Sequence, residues 1–408
     1  MAEVSRRDVC FLSLESPWPT HSGAALRSFG MLRELSRYYA VRLVTLTRCP
    51  LTEEQRLVLA GVCHSVDRGR LMDTTLKDKI SILLKIIRTG YPYHSAVIAI
   101  SIAHAPGIRN MVLEHPGIVF TSVGHFGVMV HKQKAPNWIL NQCDADVEFW
   151  WAYAHQARSW LVKATGLLNY VLARGHYPSI YRNVARVVSV CEEDRQHTLS
   201  LAPDTHVDVI ENGIDCSHYV PDRSQSSRVP RILFTGTSAT RNMTALHAFV
   251  KNTWPIIRRS LGGIELLVAG NFSENAQKEF AEHKSISFTG RVDDIRPYFN
   301  MSNVFIAPFQ ETHGSKLKIA EAMAMAMPIV TTPMGIRGFP LVDGESVAVA
   351  QSNEKFAAMV IQLIRDPGRC ERLGNAARNV ALEHIDWNVL GKKLHGILEE
   401  TFNTLNER

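Results

Sequence analysis

Short apolar runs and amphipathic stretches alternate along most of this chain. Residues 9–14 (VCFLSL) form an apolar run of strand length, followed by a Pro-, Ser- and Gly-rich loop at 16–23 (SPWPTHSG). Residues 24–39 carry Leu26, Phe29, Leu32 and Leu35 at helical spacing, and 41–46 (VRLVTL) is apolar again. A strand, a glycine loop, a helix and a second strand within about 40 residues predict a βαβ unit, hence a parallel sheet. Helices are predicted at 52–60 and 75–88, the second broken by Tyr91-Pro92-Tyr93. Further strands are predicted at 117–123, 138–140, 186–190 and 207–210. Residues 146–171 read as one long helix. Most of its rings (Phe149, Trp150, Trp151, Tyr153 and Trp160) are expected in the core, with an acceptor groove as the alternative.

Residues 216–230 are polar and unpatterned, and are the best linker candidate. The alternation then restarts, with strands predicted at 231–235, 265–269, 285–289, 304–307, 329–331 and 346–349 and helical segments between them. Amphipathic helices are predicted at 356–366 and 370–384. A last one at 388–405 has Leu390, Leu394, Leu398 and Phe402 on one face. This is the pattern of two doubly wound α/β domains in tandem, with a cleft expected between them. Gly236, Gly270 and Gly290 each close a strand of the second domain, and a backbone without Cβ lets a ligand approach closely. A nucleotide along that edge is the expected ligand.

The stretch 309–330 (FQETHGSKLKIAEAMAMAMPIV) is the most informative. A buried strand at 303–308 leads into a loop with Gly314 and Ser315, then a helix at 316–327 ended by Pro328. Free backbone N–H groups and the positive helix end make such a loop an anion site. Lys316 and Lys318 in the first turn oppose the macrodipole. They are either solvated side chains or contacts to a bound polyanion. Glu321 lies five residues after Lys316 in a helix otherwise apolar and built of small residues. Gly23 marks a similar strand-to-helix turn, without a G-x-G-x-x-G dinucleotide fingerprint. His125 stands just past the strand at 117–123, and Asn141-Gln142-Cys143-Asp144 follow the one at 138–140. Strand ends are where site chemistry sits in this architecture.

At 408 residues, two or three domains are expected. A formal net charge of +6 suits an anionic ligand or a weakly anionic membrane surface, and no basic stripe or motif points to nucleic acid. The seven cysteines are odd in number with no C-x-x-C pair, against a disulfide framework or structural zinc. The N-terminal stretch lacks the apolar core of a secretory signal. No uncharged run reaches the roughly 18 residues that cross a bilayer. A cytoplasmic protein is expected, with peripheral contact at the inner face of a membrane as an option.

In order and spacing, several segments resemble the retaining GT-B glycosyltransferases of family 4, the glycosyltransferase group 1 superfamily. They are PWPTHSGAALRSFGMLREL, VVSVCEEDRQHTLS with VIENGID, RILFTGTSATRNMTAL, ELLVAG, ISFTGRVDDIRPYF, NVFIAPF, HGSKLKIAEAMAMAMPIV, VDGESVAVA and LIRDPGRCERLGNAARNVALEHIDW. The resemblance implies an acceptor-side Rossmann-like domain at 1–215, the linker at 216–230, a donor-binding Rossmann-like domain at 231–385, and a helix at 386–408 crossing back. It implies transfer of a hexose from a UDP- or GDP-sugar to an acceptor hydroxyl, with retention, no metal and no other cofactor. A glycan, a lipid-linked molecule or a small metabolite is the expected acceptor.

Residue by residue, Glu321 matches the second glutamate of the family's paired-glutamate motif, which binds the donor ribose. The first falls on His313, with Glu311 two residues away. HGSKLK resembles the G-T-R-L-K loop of a branch that also lacks that first glutamate, with Lys316 in place of Arg and Lys318 kept. Gly23, Gly236, Arg241, Gly270, Arg291, Val292, Gly314, Ser315 and Leu317 fall on donor-side positions. The family's basic pair after the first strand is Arg241-Asn242 here, and Lys316 is the candidate for the missing charge. The family's histidine near residue 140 is replaced by Cys143 and Asp144. Asp144 is a candidate proton acceptor, Cys143 a packing residue, and His125 a further acceptor-side group. Lys316, Asp144 and His313 are the catalytic candidates. These departures also motivate a second reading, a GT-B protein with little activity that binds donor or partner.

Overall fold

The structure, a computed structural model, describes residues 6–20, 22–142, 146–157, 159–222, 224, 229–310 and 317–407. The chain divides into two compact units. One contains residues 1–211 and 390–408, the other 212–389.

The first unit is built on a parallel sheet of β1 (Asp8–Leu14), β2 (Ala40–Thr47), β3 (Ser65–Arg70), β4 (Ile118–Thr121), β5 (Ala135–Asn141), β6 (Val184–Ser189) and β7 (Val207–Val209). Its order is β3-β2-β1-β4-β5-β6-β7. Val9 to Leu12 are all buried, as a strand covered on both faces requires, and Phe11 is aligned with Leu43 and Phe120 on its neighbours. The second unit carries β8 (Arg231–Thr235), β9 (Glu265–Ala269), β10 (Ile286–Phe288), β11 (Val304–Ala307), β12 (Ile329–Thr331) and β13 (Ala348–Val349), in the order β10-β9-β8-β11-β12-β13. Both sheets run outward from their first strand and then reverse, at β1/β4 and at β8/β11. Such switch points open a crevice at the C-terminal strand ends.

Local signals set the helices. Ser22 caps the helix Gly23–Tyr38, its hydroxyl accepting from Ala25 N at 3.1 Å. Thr52 with Gln55, and Thr75 with Asp78, form capping boxes. The helix Tyr93–Ala103, visible in the sequence only as an apolar run too short to span a bilayer, is a core element with Ala96, Val97, Ile98 and Ile100 buried. Among the described residues no single helix is long and apolar enough to cross a membrane.

The expected long helix at 146–171 is two helices, Asp146–Gln156 and Trp160–Tyr181. They meet along small residues. A Cβ on Gly166 would stand 2.8 Å from the Ala154 Cβ. The large rings therefore do not all find room between them. Trp150 is buried and Phe149 partly so, but Trp151, Tyr153 and Trp160 are exposed, which corrects the expectation that most of them fill the core.

The division between units falls at 211/212, ahead of the polar stretch 216–230. Cys216 and Tyr219 from that stretch are buried. The two chain segments that lead between units, 212–216 and 385–388, run side by side. Ile214 N donates to Ile385 O at 2.9 Å, Trp387 N to Ile214 O at 3.1 Å, and Cys216 N to Asp386 Oδ2 at 3.0 Å. Gly213 is needed there because a Cβ would press within 2.6 Å of the Trp387 ring. Beyond Val389 the last helix belongs to the first unit, where Tyr39 Oη donates to Glu399 at 2.8 Å and Arg186 to Glu400 at 2.7 Å.

Candidate functional site

In the second unit the strand ends around the β8/β11 switch point are joined by one side chain. Lys318, in the helix Leu317–Ala324 that follows β11, donates from Nζ to Thr235 O at 2.8 Å and to Asn242 Oδ1 at 2.8 Å. Thr235 is the last residue of β8, and Asn242 lies in the helix Thr240–Asn252 after it. Asn242 also donates from Nδ2 to Thr237 O at 3.1 Å, so the loop after β8 is tied to both helices. The ammonium stands 4.8 Å from the centre of the Phe309 ring and 5.3 Å from that of Phe234. Two aromatic faces and two oxygens thus surround a partly buried cation.

The strand-end glycines serve this close packing. Gly270 has φ +124°, and a Cβ there would lie 2.0 Å from Gly236 O. A Cβ on Gly236 would meet the Asn242 amide at 3.1 Å and Lys318 Nζ at 3.3 Å. Gly290 has φ +70° with open space around it. The loops after β8 and β9 are joined by Ser273 N donating to Ser238 Oγ at 2.7 Å.

Glu321 follows Lys318 by three residues, on the same side of the helix. Its Oε1 accepts a hydrogen bond from the Tyr219 hydroxyl at 3.1 Å. Burial pushes the Glu321 carboxyl up to about 7, against the lowering effects of the Tyr219 hydrogen bond and the Lys318 charge. The residue as a whole keeps some solvent exposure, so burial here concerns chiefly the carboxyl end. Tyr219 is raised far above the usual phenol value by its own burial and then by the Glu321 charge. Arg378 fixes the segment that delivers Tyr219. It donates to Tyr219 O at 2.7 Å, to Cys216 O at 3.3 Å and to Ala324 O.

Among the other sequence candidates of this unit, Arg241 and Arg291 are exposed and Val292 is partly buried. Leu317 opens the helix, one residue before Lys318. Glu311, His313, Gly314, Ser315 and Lys316 lie outside the described residues, as do Cys143 and Asp144 in the first unit.

In the first unit Gly23 is exposed at the N-terminus of its helix, next to the Ser22 cap. His125 follows β4. Its Nδ1 lies 2.6 Å from the Tyr177 hydroxyl, and its ring centre 4.7 Å from that of His94. Burial, then the neighbouring His94 and His176, hold His125 well below the usual histidine range. Burial likewise holds His94 down to about 4 and His176 to about 3, so this cluster is neutral at pH 7. His94 Nδ1 and Trp150 Nε1 find no hydrogen-bond partner among the described residues.

Three residues of these sites were missed by sequence reasoning. Asn242 was read only as an absent lysine, yet its amide oxygen holds the lysine from the other helix. Tyr219 lay in the polar linker stretch, and an aromatic residue among polar ones was its only signal. Arg27 is buried at the C-terminal end of β5, donating to Asn141 Oδ1 at 2.8 Å and Glu211 O at 2.8 Å. Its signal was a charge on the inner face of an amphipathic helix.

Two parallel α/β units with these strand orders are the GT-B fold. The chain shares it with sucrose-phosphate synthase from Thermosynechococcus elongatus (TM-score 0.70, 15% identity, 98% of this chain and 100% of the other covered). It also shares it with Anabaena HepE, solved with UDP and glucose (TM-score 0.63, 11% identity, 97% and 100% covered). WaaG, a glycosyltransferase involved in lipopolysaccharide biosynthesis, is similar too (TM-score 0.61, 14% identity, 96% and 99% covered). At the sequence level, residues 229–366, within the second unit, match the family described as glycosyl transferases group 1. An uncharacterized 44.6 kDa protein from the cps region of Klebsiella pneumoniae is 23% identical over 164 residues, 38% of this chain and 42% of that protein. The chain therefore spans less than half the length of that curated relative in the match.

Proposed function

We propose that this protein transfers a sugar from a nucleotide-sugar donor to an acceptor hydroxyl, with retention of anomeric configuration and without a metal. The observation that carries this reading is the Lys318–Glu321 pair at the β8/β11 crevice, within the residues that match the glycosyl transferases group 1 family. HepE, on the same fold, is known with UDP-glucose, which supports a UDP-sugar as donor.

The Glu321 carboxylate accepts hydrogen bonds from the donor ribose, a task for two adjacent acceptor oxygens. Gly236 and Gly270 let the loops after β8 and β9 close together beside the diphosphate, and Arg291 and Val292 after β10 border the donor. Lys318 anchors the loop after β8 and lends positive charge. Lys316, with Arg241, neutralises the diphosphate, and the backbone N–H groups of 314–317 complete the anion site. As the bond from the anomeric carbon to the phosphate oxygen breaks, the acceptor oxygen bonds to the same face of that carbon. Its proton passes to the departing phosphate oxygen, so atoms and charge balance without a dedicated base. In this reading His313 is a catalytic candidate, and Asp144, Cys143 and His125 are the acceptor-side candidates.

The test is a thermal-shift screen against UDP-, GDP-, ADP- and dTDP-sugars, followed by nucleotide-release assays with the donors that stabilise the fold. Sugar-dependent release of a nucleoside diphosphate is expected, with the product anomer assigned by NMR as that of the donor. Neither stabilisation nor release with any donor would overturn the proposal. An inverted product would overturn retention alone.

A further inference from the structure

The helix Leu76–Thr89 turns its apolar side to solvent. Leu76, Ile80, Leu83, Leu84 and Ile87 recur at the spacing of a single helical stripe and are between 47% and 74% exposed. Its inner side is slight, with only Asp78 and Ile82 buried. Asp78, its one acidic residue, is occupied in the cap, accepting from Thr75 N at 2.9 Å. By the helical repeat, Lys77 and Arg88 border the stripe on one side and Lys79 on the other, and all three are exposed.

The helix Trp160–Tyr181 repeats the arrangement. Trp160, Leu168 and Val171 are 75%, 55% and 65% exposed along one stripe, with Lys163 and Arg174 exposed at its border. This helix contains no acidic residue. The chain just beyond the first helix touches the second. Tyr93 N, just beyond the first, donates to Asn169 Oδ1 of the second at 2.7 Å, and the Tyr91 ring lies 4.7 Å from that of His176.

Single exposed apolar side chains are ordinary, but paired stripes of them mark a contact surface. The charge selects the occupant. Bare apolar stripes would suit any apolar partner. Stripes bordered by lysine and arginine, with no exposed acid on either helix, complement a surface that is apolar within and anionic at its edge. An exposed tryptophan at the end of one stripe fits the same boundary, because indole favours the level between headgroup and acyl chain. We propose that these two helices seat the first unit on an anionic lipid surface. This seating is independent of the transfer reaction and does not rest on it.

The full chain is tested by co-sedimentation with phosphatidylcholine vesicles, with and without phosphatidylglycerol. Binding is expected with the anionic vesicles, weakened by salt and nearly absent with neutral ones. Leu83→Glu with Ile87→Glu should weaken it by about tenfold or more. Lys77→Gln with Lys79→Gln should weaken it by roughly fivefold per residue. All four side chains are exposed, so an unchanged melting temperature is expected for both variants. The glutamine pair serves should the glutamate pair fail to fold. No binding to either vesicle at low salt overturns the proposal. So does equal binding by wild type and both variants, or self-association without vesicles that Leu83→Glu with Ile87→Glu abolishes.

Discussion

The Tyr219 hydroxyl donates to the Glu321 carboxylate at 3.1 Å, joining a residue just after the unit boundary to a helix about a hundred positions further on. This hydrogen bond stabilises the ionised carboxyl, yet burial outweighs it and leaves Glu321 near pH 7. The carboxyl thus titrates well above the usual glutamate range, and its behaviour can be followed in three ways.

The first is ligand affinity. If ribose hydroxyls donate to Glu321, the donor binds the ionised form. Affinity for UDP should then fall as pH drops below about 7, by about tenfold per pH unit until the proton is also retained in the complex. Calorimetry from pH 5.5 to 8.5, values set by the about-7 titration, checks this. A flat profile would detach Glu321 from the donor. Glu321→Gln should bind more weakly at high pH and lose the slope.

The second is stability. The folded-state value is above the unfolded one, so the native protein holds the Glu321 proton where the unfolded chain releases it. The resulting stabilisation is fully present below the unfolded carboxyl value and is lost as pH rises through about 7. For this partly exposed residue it amounts to about 2 kcal/mol. Denaturant unfolding of wild type and Glu321→Gln should diverge by that amount across the window, with the glutamine protein flatter.

The third is Tyr219→Phe. Removing the donor leaves burial less opposed, so the affinity midpoint should move to higher pH. The unfolding free energy should drop by about 1–2 kcal/mol. An unmoved midpoint would show that the hydroxyl does not set the carboxyl.

Lys318→Met removes the tie between Thr235, Asn242 and the helix after β11. A cost of about 1–3 kcal/mol is expected, with loss of about 10²-fold or more in kcat/KM. Lys316→Ala is expected to lower kcat/KM by a similar ~10²-fold. Since it leaves the Lys318 contacts alone, it should change stability little. A rate unchanged in either protein would remove that lysine from the reaction.

Gly270→Ala should destabilise by about 3 kcal/mol or more, because its φ of +124° and the approach of Gly236 O both exclude a Cβ. Urea unfolding measures it. A loss below about 0.5 kcal/mol would mean that the two strand ends readily move apart.

Much of this molecule was legible along the chain. Buried strands in a parallel sheet are unbroken apolar runs, so β1, β2, β8, β9 and β11 stood out, as did capped amphipathic helices such as Leu76–Thr89. Glu321 was conspicuous as an acid among small apolar residues. β3 was not legible, because its residues (SVDRGR) are polar and it lies at the sheet edge, where half-exposed positions carry no pattern.

The sequence alone determined the two tandem α/β units, because strand and helix periods are local properties that neighbouring residues impose. It also marked the helix that carries Lys318 and Glu321. Contact between distant segments was decided only by the tertiary structure. Asn242 became the holder of Lys318, and Tyr219 the partner of Glu321, because the β8/β11 reversal and the Arg378 clamp bring them together. Which face of an amphipathic helix stays bare was decided there too. The periodicity of 76–87 shows an apolar stripe, and only the packing of its neighbours reveals that the stripe is left in water.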